Sequence, residues 1–203
     1  SYTLDDADPV DLGTFTVQSG AVNTNALKDI PAGAVLTITE VTDTNDIYTT
    51  TASSEKNAAD QDVEDAKTFK FTVSEDDKIT FDNTLKSYPV RIMKVGFDGT
   101  TAYTNVEARF SLSSETAVIV NRQYTTPTDN EIYDDALSVG TYTLTEHWVE
   151  DGYLGLPNDS NDDGDGDVIL TVSGNDTVTS NDTTGHVVIS GNKDDGFVVT
   201  VYN

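Results

Sequence analysis

The chain has 203 residues, of which 36 are Asp or Glu and 11 are Lys or Arg, for a formal net charge of -25. That balance argues against nucleic acid, since phosphate binding needs a basic surface, and against docking on anionic lipid. A hydrophobic fraction of 36% suits a folded chain with acidic loops, and length alone allows one or two domains.

Taken from the N-terminus, apolar residues alternate with Thr and other polar residues in short runs. These are "GTFTV" (13–17), "AVLTIT" (34–39), "TFKFTV" (68–73), "KITF" (78–81), "VRIMKV" (90–95), "ARFSL" (108–112), "TYTLT" (141–145), "DVILTV" (167–172), "HVVIS" (186–190) and "FVVTV" (197–201). Period-two patterning separated by Gly, Asn and Asp predicts strands at short spacing, and hence antiparallel β-sandwiches. The segment "SSEKNAADQDVEDAK" (53–67) reads either as a short helix or as a charged loop.

Two pairs of segments repeat in order and in role. "IPAGAVLTITE" (30–40) resembles "LSVGTYTLTE" (137–146), and "KITFDN" (78–83) resembles "VVTVYN" (198–203). The chain is therefore expected to hold two copies of one domain type, 1–87 and 88–203, with the boundary near "LKSYP" (85–89).

Three strands of the second copy each carry one polar residue in register with apolar ones. Val90 and Ile92 lead to Lys94, Tyr142 and Leu144 lead to Glu146, and Val199 and Val201 lead to Asn203. If those faces look inward, an amine, a carboxyl and a carboxamide meet in an apolar interior. Burial lowers the pKa of the lysine and raises that of the glutamate. A neutral amine is a nucleophile, and a protonated Glu146 polarises the Asn203 carboxamide and then shuttles protons as ammonia leaves. The expected product is an isopeptide bond from Lys94 to Asn203, with proximity supplying most of the rate advantage.

The second half resembles a Cna B-type domain, the immunoglobulin-like module of Gram-positive surface proteins and pilins. The residues that carry the likeness are "VRIMKV", "ARFSL", "VGTYTLTE" followed by Gly152 and Tyr153, and "VVTVYN". The resemblance implies an all-β chain of two tandem immunoglobulin-like antiparallel β-sandwich domains. It also implies autocatalytic Lys–Asn bond formation assisted by the Glu, which agrees with the reading from strand faces. The first copy matches less well. Glu40 and Asn83 are in place, but Lys28 adjoins the turn before the glutamate strand, and the residue in line with Tyr2 and Leu4 is Asp6. Either the nucleophile strand lies upstream of Ser1 or the first domain is uncrosslinked. The second is the expectation here, with Glu40 and Asn83 a hydrogen-bonded pair of structural value.

The Lys94–Asn203 bond would close a loop of 203 − 94 = 109 residues. By analogy with disulfides, a loop of roughly 100 residues contributes about 4.7 kcal/mol in the chain-entropy model. A pulling force would pass across the bond and leave the intervening strands unloaded. Such a bond would also let an exported protein do without cysteine, of which there is none. No apolar run is long enough to span a bilayer. Neither a signal peptide nor a sorting signal is visible, so an exported protein would include this chain as a trimmed piece.

"DSNDDGDGD" (159–167) places Asp159, Asn161, Asp163, Asp165 and Asp167 at alternate positions with Gly164 between them. This is similar to the first nine positions of an EF-hand-type calcium loop, although Leu170 stands where the bidentate Glu would be. The alternative is a solvated acidic loop. No cofactor is required by the crosslink; calcium is the one candidate. His147 and His186 fit no metal or hydrolase motif and read as ordinary strand residues, and Trp148 is expected on or near the core.

The leading expectation is a structural stalk or backbone module of a cell-wall-anchored surface protein or pilin. Its location would be extracellular, and its partners other domains or subunits of the same surface protein. An adhesin module presenting a site to a host ligand is the alternative, and an accessory β-domain of an extracellular enzyme is a third. No turnover enzyme is expected, because the amide reaction happens once and within the chain.

Overall fold

A computed structural model describes every residue except 5–6, 17–26, 28, 42–46, 56–59, 62–66, 74–77, 98–101, 104–105, 127–128, 152, 154, 157–165 and 203; for 60, 61, 97, 102, 103 and 122 it describes the backbone only. The chain is all-β and forms two compact units, one of residues 1–44 and 48–84, the other of residues 45–47 and 85–203.

The first unit contains β1 (Tyr2–Thr3), β2 (Val35–Thr39), β3 (Tyr48–Ser54), β4 (Asp60–Gln61), β5 (Thr68–Thr72) and β6 (Ile79–Leu85). One sheet has the order β1-β2-β5-β4, with every neighbour antiparallel, and β3 pairs with β6 in a second. Alternation along β2 and β5 buries Leu36, Phe69 and Phe71. Phe81 of β6 meets Phe69 edge-to-face, ring centres 5.6 Å apart, which packs the two sheets together.

Two expectations for this unit need correction. Residues 13–16 form no strand: Gly13 adopts φ +74°, and its N–H donates to the Asp11 side chain at 2.9 Å. That local turn competes with the extended backbone a strand needs. The described part of 53–67 shows no helix. Residues 53–54 end β3, and 60–61 pair with Lys70 and Phe69 of β5.

The second unit is a two-layer sandwich built from β7 (Ser87–Phe97), β8 (Ala102–Tyr103), β9 (Ala108–Ser114), β10 (Val118–Thr125), β11 (Glu131–Ser138), β12 (Gly140–Val149), β13 (Gly166–Ser173), β14 (Thr177–Ser180), β15 (Val187–Asn192) and β16 (Gly196–Tyr202). One sheet runs β10-β9-β12-β13-β14 and is antiparallel throughout. The other runs β11-β7-β16-β15, with β8 against the end of β7. Its central pair, β7 and β16, is parallel, Val199 opposite Ile92 and Val201 opposite Lys94. The first and last strands of the unit are thus direct neighbours.

Strict alternation on both inner faces builds the core. It contains Tyr88, Val90 and Ile92 of β7, Phe110 and Leu112 of β9, Leu144 of β12, Val168, Leu170 and Val172 of β13, and Phe197, Val199 and Val201 of β16. Where the chain passes from β11 to β12, in the opposite sheet, the Tyr142 hydroxyl donates to the Ser138 carbonyl at 2.7 Å. Immunoglobulin-type sandwiches use a similar tyrosine clamp at a sheet-to-sheet corner.

Candidate functional site

The alternation that buries Val90 and Ile92 carries Lys94 inward with them. Its side chain has 0% exposure, and Glu146 on the facing sheet has 2%. The ammonium Nζ stands 3.9 Å from Glu146 Oε1 and has no hydrogen-bond partner among the described residues. Burial is the largest influence on the amine and pulls its pKa down from 10.5 to about 8, against the Glu146 charge, which raises it. An amine so placed is neutral in an appreciable fraction of molecules near neutral pH.

Glu146 is held from two sides. On the sheet, it pairs with Phe110 of β9 and Gly166 of β13. Its Oε2 accepts the Leu156 N–H at 2.6 Å, a charge-assisted bond that fixes the carboxyl's orientation. Leu156 reaches that position because residue 166 lacks a side chain: a Cβ at Gly166 would lie 2.3 Å from the Leu156 carbonyl oxygen. A Cβ at Gly155 would meet Oε2 at 3.2 Å. The glycines are therefore part of the seat of the carboxyl, and strand faces alone did not flag them.

Of the predicted trio, the structure brings Lys94 and Glu146 together, while Asn203 lies outside the described residues. Its neighbours are placed: Val201 is buried beside Lys94 and Tyr202 pairs with Val95.

In the first unit, Glu40 and Asn83 meet. Asn83 Nδ2 donates to Glu40 Oε1 at 2.7 Å. A third residue, Thr50 of β3, joins them. It is 4% exposed, and its hydroxyl contacts both Glu40 Oε2 and, at 2.7 Å, Asn83 Oδ1. Nothing in the polar run "YTTTASS" (48–54) singles out Thr50 beyond its phase in the alternation. Lys28 and Asp6 lie outside the described residues.

The calcium expectation falls mostly outside the described residues, which exclude Asp159, Asn161, Asp163 and Asp165. Asp167 lies on β13 opposite Thr145, and its Oδ1 is buried without a hydrogen-bond partner among the described residues. No group of three or more metal-ligating side chains is found among the described residues.

His147 lies on β12, where its Nε2 contacts Ser111 Oγ at 2.9 Å. His186 immediately precedes β15 and contacts Thr184 Oγ1 through Nδ1 at 2.6 Å. Trp148 departs from expectation. Two residues on from Glu146, it should share the inner face, yet it is 44% exposed. The β12–β9 register shifts between Glu146 and Trp148, and this bulge turns the indole outward, while Val149 packs against the core. Trp148, Tyr124, Arg109, Glu107 and His147 line an open groove of about 430 Å³ on the outer face of that sheet.

No protein-family model matches this sequence, and no curated protein does. Among solved structures, the chain is similar to a C-terminal fragment of the pilus adhesin SpaC from Lactobacillus rhamnosus GG, at 18% identity and a TM-score of 0.42. The match covers 77% of this chain and 57% of that one. At that score the likeness assigns neither fold nor function.

Proposed function

We propose that the chain is a structural module of a Gram-positive surface protein or pilin of the Cna B type, whose second unit is locked by an autocatalytic Lys94–Asn203 isopeptide bond. The observation that carries this reading is the buried Lys94 amine, 3.9 Å from a buried carboxyl and unpartnered among the described residues. An uncompensated buried ammonium is costly. Converting it to a neutral amide removes that cost.

The parallel register places Val201 beside Lys94, and Asn203, two residues on in the sequence, is the acyl donor under this reading. Neutral Lys94 Nζ attacks Asn203 Cγ. The Nζ–Cγ bond forms and the Cγ–Nδ2 bond breaks. Glu146 carries the proton lost by Nζ to the departing nitrogen, and one ammonia leaves. Folding holds the groups together, so the step is unimolecular. Mass spectrometry of the intact chain tests the reading: one ammonia missing on account of this bond, and retained in Lys94→Met. The partners under this reading are other domains or subunits of the same surface assembly, outside the cell.

A second reading has its own observation. The open groove between Tyr124 and Trp148, 57% and 44% exposed, suits a module that presents a ligand site, as an adhesin would. A host-ligand screen repeated with Trp148→Ala tests it. A hit that survives the substitution would place the site elsewhere, and no hit would leave the structural role alone.

A further inference from the structure

We propose that Thr50 and Asn83 of the first unit form an ester crosslink, with Glu40 moving the proton. This rests on the first unit's own geometry and not on the fate of Lys94. Elsewhere in the unit, the exposed pair Thr39 and Thr68 meet hydroxyl to hydroxyl across β2 and β5 at 2.9 Å. Thr50 is arranged differently. Its Oγ1 lies between a carboxylate oxygen of Glu40 and the carboxamide oxygen of Asn83, and the Asn83 nitrogen is bound to the other oxygen of the same carboxylate. The three side chains close a ring that contains a nucleophile, a base and an acyl group with a leaving amine.

The reacting atoms are close. Asn83 Oδ1 is 2.7 Å from Thr50 Oγ1, and Cγ is one carbonyl bond, about 1.23 Å, from Oδ1. Oγ1 is therefore no more than about 3.9 Å from Cγ, and near-attack separations are about 3–3.5 Å. Thr50 has one hydroxyl hydrogen and cannot donate to both oxygens at once. When it donates to Glu40, the carboxylate is placed to take that hydrogen and an Oγ1 lone pair is free for Cγ. A hydroxyl next to a general base is the ordinary form of an activated alcohol nucleophile.

The step balances within the chain. The Oγ1–Cγ bond forms and the Cγ–Nδ2 bond breaks. The hydroxyl proton passes to Glu40 and from it to Nδ2, already hydrogen-bonded to that carboxyl, and ammonia leaves. Glu40 ends as it began. Where the second unit is proposed to join a lysine to an asparagine beside a glutamate, the first brings a threonine hydroxyl to a Glu–Asn pair. The exposed position of Asn83 gives the product a chemical signature, because hydroxylamine cleaves an ester and spares an amide.

The test is intact-mass and tandem mass spectrometry of the full folded chain, with Thr50→Val, Thr50→Ser, Lys94→Met and the Thr50→Val/Lys94→Met pair alongside. With both bonds present, the chain lacks two ammonias, Thr50→Val and Lys94→Met each lack one, and the pair lacks none. If only the ester forms, the chain lacks one ammonia and Thr50→Val lacks none. Thr50→Ser retains the loss, and proteolysis yields a branched peptide joining Thr50 to Asn83 that hydroxylamine splits in two. The proposal is overturned if Asn83 keeps its ammonia in the folded chain. It is equally overturned if the loss at Asn83 persists in Thr50→Val, which would mark an imide within the Asn83 backbone. Should Thr50→Val fail to fold, the branched peptide and its hydroxylamine sensitivity in the unsubstituted chain decide alone.

Discussion

Lys94 and Glu146 face one another from opposite sheets of the second sandwich, Nζ 3.9 Å from Oε1, and neither side chain is open to water. The pair is too long for a good hydrogen bond and too deeply buried for solvent to compensate. As an ion pair it stabilises poorly; as an amine waiting beside a proton carrier it is well placed to react.

Rate of crosslinking should follow the neutral fraction of Lys94. With the pKa lowered to about 8, chain refolded from denaturant should form the bond with a half-maximal rate near pH 8. Below that the rate should fall about tenfold per pH unit. A time course by mass spectrometry from pH 6 to 9 checks this. A rate flat across that range would mean that deprotonation of Lys94 does not limit the reaction.

The uncrosslinked fold should gain stability as pH rises. Asn203→Ala keeps the amine. The folded pKa lies below the unfolded value of 10.5, so between about pH 8 and 10.5 the unfolded chain binds more protons, and unfolding free energy increases with pH. A fall from 10.5 to about 8 corresponds to roughly 3 kcal/mol, absent below the lower value and fully regained above the upper one. Urea titrations of Asn203→Ala across this window should show the rise, and the further change Lys94→Met should flatten it.

Removing the carboxyl alone should be worse than removing the pair. Glu146→Ala blocks the bond and leaves a buried amine facing nothing, a loss of roughly 3–5 kcal/mol for a broken buried pair. Lys94→Met with Glu146→Leu should recover most of that in chemical denaturation. A double variant as weak as Glu146→Ala would mean that packing, not the lone charge, sets the cost.

Gly166→Ala tests the seat of the carboxyl. The new Cβ would fall 2.3 Å from the Leu156 carbonyl oxygen, so Leu156 must move and its N–H leaves Glu146. The expected result is a lower melting temperature together with slower ammonia loss. Gly185→Ala is the control: it carries φ +86° with nothing within 4 Å of the added atom, so it should cost about 1 kcal/mol through backbone strain and leave the bond rate unchanged.

Calcium has a single foothold among the described residues, the buried and unpartnered Oδ1 of Asp167. Calorimetry with calcium and a chelator decides between the two sequence readings of 159–167: binding heat with a chelator-reversible rise in melting temperature would favour a calcium loop. Absence of both would leave 159–167 a solvated acidic loop.

Strand faces were legible where a strand is central. Lys94 and Glu146 sit on strands flanked on both sides, and simple alternation puts each on the inner face. Edge strands were harder to read. β10, β11 and β14 border their sheets, and charges such as Asp134 and Asp135 on β11 interrupt the pattern, as edges commonly require. Trp148 was misplaced because a bulge changes phase without altering composition. Thr50 was invisible because a hydroxyl among four neighbouring hydroxyl residues carries no sequence signal, and only the meeting of β3, β6 and the end of β2 gives it partners. The parallel pairing of β7 with β16 likewise does not follow from alternation, although it places the first and last strands so that a bond between them would carry load.

Peptide mapping of the folded chain by tandem mass spectrometry decides whether Lys94 and Asn203 are joined. A branched peptide that joins Lys94 to Asn203, with one ammonia lost at the junction, is expected. Recovery of two separate linear peptides, one with a free Lys94 amine and one ending in an intact Asn203 carboxamide, would contradict it.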